Sequence, residues 1–170
     1  MNTMILSFKL FCFILFTFTL SCTTIDKVKP FNWEMEAYHN ERFEFTLNIP
    51  KEFKTKYPDN GDGITLIHPQ NNKIKILAWG NHNALFQTFE QRIQEINKGQ
   101  RIVDMKDINL KHIKGKRIIS EVNDSRSLRI LFYDYDNDIF YSILCESPKS
   151  DFNQYQKLFE KILESIHIES

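Results

Sequence analysis

The C-terminal segment constrains the fold of this 170-residue chain more than any other stretch. Tyr155, Leu158, Phe159, Ile162, Leu163 and Ile166 recur at i, i+3, i+4, i+7, i+8 and i+11, which predicts an amphipathic helix started by Ser150 or Asp151. A continuous apolar stripe of this kind has to be buried on a partner, and in a layered domain that partner is the apolar face of a sheet.

The preceding residues supply the strands. Phe43, Phe45, Leu47 and Ile49 alternate with Glu44, Thr46 and Asn48 until Pro50, which cannot donate to continued pairing. Residues 58–63 (PDNGDG) predict a turn, Ile64 to Ile67 a short strand, and Gln70-Asn71-Asn72 a hairpin onto Lys73 to Gly80. In that last strand Ile74, Ile76 and Ala78 share one face, and Leu77 and Trp79 share the other. Between Ala84 and Lys98, the spacing of Leu85, Phe89, Ile93 and Ile96 predicts a helix closed by Gly99. Strands are predicted at Arg101 to Lys106, Lys116 to Val122, Ser127 to Asp134 and Ile139 to Cys145. Turns at Asn123-Asp124 and Asp136-Asn137-Asp138 make the last three an antiparallel meander. The expected class is α+β.

The N-terminus carries a different signal. Lys9 precedes the uncharged run Leu10 to Leu20, which is short for a membrane span of about 20 residues but suits the core of an export signal. With Ser21-Cys22 behind it, this stretch resembles a bacterial lipoprotein signal, although Thr19 stands where leucine is usual. The resemblance implies diacylation of Cys22 and cleavage before it, since two or more chains hold a protein on a bilayer where one does not. An ordinary secretory signal and an uncleaved anchor are the competing readings. The expected division is a signal peptide at 1–21, a lipidated N-terminus and tether at 22–41, and one domain at 42–170. The expected partners are the bilayer, through Cys22, and a protein of the cell envelope. Thr23 is not the aspartate that retains many lipoproteins at an inner membrane, which favours an outer membrane facing the periplasm.

Charge and cysteine usage narrow the rest. Lys and Arg number 22, as do Asp and Glu, so no basic excess recommends a nucleic-acid partner. The short basic run Lys111 to Arg117 reads as a solvated strand approach. Cys12 leaves with the leader and Cys22 takes lipid, so Cys145 has no disulfide partner and reads as a buried, inert thiol.

FEFTLNIPKEF, NGDGITLIHP, KIKILAWGNHN and IFYSILCESP, in this order around two helices, resemble the Mog1/PsbP-like α/β/α sandwich, in particular exported bacterial domains of that fold, over residues 42–168. The resemblance implies a central antiparallel sheet of about six strands flanked by helices, in a group whose members serve as binding or assembly modules.

No constellation advertises a reaction. Asp134, Asp136 and Asp138 lack the glycine and the bidentate glutamate of a calcium loop and read as turn formers, so no metal or cofactor is expected. Gly61 and Gly63 lack the lysine and helix start of a phosphate loop. His68, His82 and His112 have no metal-binding or triad spacing. Trp79, Asn81, His82 and Asn83 gather where a strand gives way to a helix and are the candidate ligand-binding residues. The alternative is that Trp79 is core and Asn83 the helix N-cap. The leading expectation is a non-catalytic binding or assembly domain. The alternatives are an exported enzyme whose histidines meet carboxylates only in three dimensions, and a structural spacer.

Overall fold

The computed structural model describes residues 32–111 and 113–169. The leader, Cys22 and His112 lie outside the described residues. In chain order the elements are β1 (Met35–Asn40), β2 (Phe45–Pro50), β3 (Lys54–Lys56), β4 (Gly63–Ile67), β5 (Lys75–His82), α1 (Phe89–Ile96), β6 (Arg101–Leu110), β7 (Ile113–Val122), β8 (Ser125–Asp134), β9 (Ile139–Pro148), α2 (Lys149–Glu164) and β10 (His167–Ile168). All pairings are antiparallel. A seven-stranded sheet runs β3-β4-β5-β9-β8-β7-β6, and a three-stranded sheet runs β1-β2-β10. The fold class is α+β, as the periodicities predict.

Strand alternation divides the large sheet into two faces. Ile76, Ala78, Leu128, Ile130, Tyr141, Ile143 and Cys145 point to the face covered by α2 and the small sheet. There they meet the predicted stripe of Tyr155, Leu158, Phe159, Ile162 and Leu163, together with Phe45, Leu47 and Ile49 from β2. On the opposite face, Phe89 and Ile93 of α1 pack on Leu131, Tyr133 and Phe140, towards the β8–β9 hairpin end of the sheet. Cys145 is fully buried, and that burial pushes its thiol pKa far up, so it is the inert core thiol expected.

Several expectations are corrected. The small sheet claims Met35–Asn40, which the sequence assigns to the tether, because β1 supplies backbone pairing to β2 while keeping Glu36, Ala37 and His39 exposed. A strand that buries so little shows no period-two pattern. Ahead of it, Trp33 lies edge-on to Phe53 (5.4 Å) and His68 (5.6 Å), so the chain joins the domain well before residue 42. The first predicted strand leaves the central sheet for the small one. The central sheet reaches seven strands through the short edge strand β3 and the long β6.

Helix α1 is shorter than predicted. Thr88 is its N-cap, in a reciprocal capping box with Gln91, and Asn83 to Thr88 form a loop instead of a first turn. The helix ends as expected near Gly99, whose φ of 78° few side chains tolerate. At Gly80 an added Cβ would stand 2.5 Å from Cγ of Phe43, so the glycine of Trp79-Gly80-Asn81 lets that ring lie directly on β5. Among the described residues no helix is long and apolar enough to cross a membrane.

Candidate functional site

The four residues singled out at the end of β5 separate by strand geometry. Trp79 and Asn81 project to the α1 face, where they pair with Ser142 and Phe140 of β9. His82 points the other way, exposed, with its ring 5.3 Å from that of Phe43. Asn83 is buried and organises the loop that follows. Its Oδ1 accepts from the Gln87 amide at 2.8 Å, and its Nδ2 donates to the Gln87 carbonyl at 2.9 Å, the Tyr133 hydroxyl at 3.2 Å and Asp138 Oδ1 at 3.0 Å. Asn83 therefore caps a loop, not the helix.

That loop carries an exposed apolar tip. Leu85 is 73% and Phe86 86% exposed, and Phe86 takes a left-handed φ of 51°. A bulky residue in that region is an outlier that the surroundings must enforce. The enforcement is visible: the Phe86 amide donates to the Asn83 carbonyl at 3.0 Å, and the Asn83 amide donates to the Asp138 carbonyl at 2.9 Å. Asp138 in turn accepts from the Tyr133 hydroxyl and is held below the usual carboxylate range, first by Tyr133 and then by Asn83. Tyr135, 56% exposed on the β8–β9 hairpin, lies edge-on to Tyr133 beside this cluster.

The aspartates of that hairpin are turn formers. Asp134 is buried, with Oδ1 accepting from the amides of Asp136 and Asn137. Among the described residues no group of three His, Cys, Asp or Glu side chains could hold a metal ion.

His68 and His82, the two described members of the candidate trio, do not meet. They flank opposite ends of β5, whose eight residues put them about 25 Å apart. His68 Nδ1 accepts from the amides of Gln70 and Asn71, each at 3.2 Å, and its Nε2 lies 3.2 Å from the Tyr155 hydroxyl. Burial lowers its pKa. Both nitrogens are used to hold the hairpin onto α2.

The α1 face, to which Trp79 projects, also carries residues that sequence reading missed. Arg92 of α1 lies 5.8 Å over the Phe140 ring and pairs with Glu95 at 2.7 Å. Arg129 of β8 is half-buried, with no hydrogen-bond or ion-pair partner among the described residues. Burial, and then the charge of Arg92, lower its pKa against an opposing pull from the Glu146 carboxylate. No local motif could have announced this grouping, because its members come from β5, α1, β8 and β9.

A seven-stranded antiparallel sheet with α2 and a small sheet on one face and α1 on the other defines a Mog1/PsbP-like sandwich. Solved structures of a PsbP and of Mog1 are among those similar to this chain. Cyanobacterial PsbP (CyanoP) from Synechocystis sp. PCC 6803 aligns with a TM-score of 0.62 at 7% identity, covering 81% of this chain and 94% of that one. The Ran-binding protein Mog1p of Saccharomyces cerevisiae aligns with a TM-score of 0.55 at 9% identity, covering 80% and 96%. PA94 of Pseudomonas aeruginosa, described as a protein of unknown function and putative regulator, aligns at 0.51 and 10% identity, covering 81% and 99%. At such identities the likeness is one of fold alone. No protein-family model and no curated protein matches the chain.

Proposed function

We propose that the chain is a cell-envelope lipoprotein, anchored through diacylated Cys22, whose sandwich is a non-catalytic docking module for a protein partner. The observation that carries the docking role is the Leu85-Phe86 tip, apolar, exposed and fixed by the Asn83 network in a conformation that costs on the order of 1–2 kcal/mol. Strain kept at an exposed apolar tip favours recognition over packing, since the tip buries nothing in its own domain.

The rim of the tip argues for a protein over a lipid surface. Gln87, Gln91, Gln94 and Glu95 line it with Lys98 as the sole cation of that rim among the described residues, whereas a loop built to enter an anionic bilayer carries a basic rim. The yeast neighbour is described as Ran-binding, so use of this sandwich to bind a protein has a counterpart. The committed ring nitrogens of His68 favour docking over catalysis.

Support for the anchor comes from the leader: a short apolar core, then Ser21-Cys22. Thr23, in place of the aspartate that retains many lipoproteins at an inner membrane, supports the outer membrane, periplasmic side, as the proposed address. Metabolic labelling with an alkyne fatty acid tests this directly. Label on the wild type and none on Cys22→Ala, with release of the variant into the soluble fraction, is expected. An unlabelled wild type would overturn the anchor.

A further inference from the structure

Three buried side-chain polar atoms have no hydrogen-bond partner among the described residues: Asn81 Oδ1, Arg92 Nε and Ser142 Oγ. Strand register brings them to one place. Ser142 pairs with Trp79 on β5 and Leu131 on β8, so Asn81 and Arg129 occupy opposite diagonals of it on the same face, each about 7–8 Å from Ser142 at Cα. Arg92 reaches down from α1 over Phe140, the next residue of β9 on that face. Buried polar groups are nearly always satisfied, so three orphans in one patch need an explanation.

Their chemistry is complementary to a particular ligand. Arg129 brings a half-buried guanidinium with no hydrogen bond or ion pair among the described residues and the Glu146 carboxylate as its acidic neighbour, and Arg92 uses Nη1 on Glu95 while Nε stays unpaired. The Ser142 hydroxyl can donate alongside them, and planar guanidinium groups suit the oxygens of carboxylate and phosphate. Asn81 Oδ1 is an acceptor and asks for a donor on the ligand. Trp79 supplies a half-buried flat apolar wall beside them. Trp79 and Leu77, on the same face as the residues that α1 packs on, are themselves only half-buried.

We infer that Arg92, Arg129, Ser142, Asn81 and Trp79 form a binding site for a small oxyanion that also carries a hydroxyl donor. Arg129 and Arg92 neutralise the anion, Ser142 donates to it, Asn81 accepts from the hydroxyl, and Trp79 packs on any ring that bears them. This site is separate from the Leu85-Phe86 tip and stands whether or not the tip docks a protein.

The test is an NMR titration of the ¹⁵N-labelled full chain in detergent micelles, at constant ionic strength, with inorganic phosphate in one arm and 4-hydroxybenzoate in the other. Saturable shifts of the Trp79 indole and Arg92 Nε–H signals are expected, while the Trp33 indole on the opposite face stays fixed and reports that the fold is intact. A response only to phosphate identifies a phosphate site, and a response only to 4-hydroxybenzoate identifies an aromatic carboxylate site. Arg129→Gln should weaken binding at least tenfold. Ser142→Ala, a smaller change, should weaken it several-fold and keeps the test decisive if the arginine variant does not fold. No saturable shift with either probe, or shifts unchanged in Ser142→Ala, would overturn the site.

Discussion

Asn83 and Gln87 are joined by two hydrogen bonds that close a ring: the Gln87 amide donates to Asn83 Oδ1 at 2.8 Å, and Asn83 Nδ2 donates to the Gln87 carbonyl at 2.9 Å. This ring replaces the first turn that the spacing of Leu85 and Phe89 predicts for α1, and turns Leu85 and Phe86 outward. Removing it leaves buried Tyr133 and half-buried Asp138 without their shared donor. Asn83→Ala is therefore expected to cost about 1–3 kcal/mol and to speed hydrogen exchange at the amides of Phe86 and Gln87 well beyond the change in the β8–β9 core. Uniform acceleration across the domain would show that the ring is not local.

Acid stability should depend on Glu121. Its buried carboxylate accepts from Arg101 at 2.8 Å and Arg126 at 2.9 Å and pairs with Lys149 at 3.2 Å, joining the edge of the sheet to the start of α2. Arg101 first, against an opposing push from burial and with Lys149 adding to it, holds its pKa down to about 2 from an ordinary 4.5. A depressed carboxylate stabilises the fold fully above 4.5, and that contribution is lost as pH falls from 4.5 towards 2. Urea midpoints across this window should fall less steeply in Glu121→Gln than in the wild type.

His68 acts in a higher window with the same sign. Burial lowers its pKa below 6.5, so the folded state resists a proton that the unfolded chain accepts, and stability falls as pH drops below 6.5. His68→Gln should remove that part of the pH dependence while costing stability at neutral pH, because the amides of Gln70 and Asn71 lose the ring nitrogen. Denaturation curves on both sides of 6.5 check this.

The contact of Phe43 with Gly80 gives a packing test. Gly80→Ala drives a methyl into a ring that is 3% exposed, and overpacking of this kind costs about 1–3 kcal/mol. Phe43→Leu combined with Gly80→Ala should recover part of the loss, giving a coupling energy that two independent sites would not show.

How much of this was legible in the sequence follows from how each element buries its residues. The α2 stripe and strands β2, β5, β8 and β9 are clear because each puts one set of side chains in the core. Strand β1 is invisible because its contribution is backbone pairing, and β3 (KTK) because all three of its residues are exposed. The α1 start is misplaced because Leu85 fits the helical period by accident, while the Thr88 and Gln91 capping box, a readable signal, marks the true start. At the candidate site, Trp79 and Asn81 are on the α1 face, but His82, their sequence neighbour, is on the other side of the sheet. Arg129 and Ser142 join them only through strand register, and Arg92 only through the packing of α1, neither of which a single stretch of sequence encodes.

The central claim is that Phe86 meets a protein. A photoreactive phenylalanine analogue at position 86 of the full chain, irradiated in intact cells, tests it most directly, with exposed Asn153 on α2 as the control position. The account predicts one discrete protein adduct from position 86, absent from position 153 and abolished by Leu85→Ser. Adducts to lipid alone, or the same adducts from both positions, would contradict it.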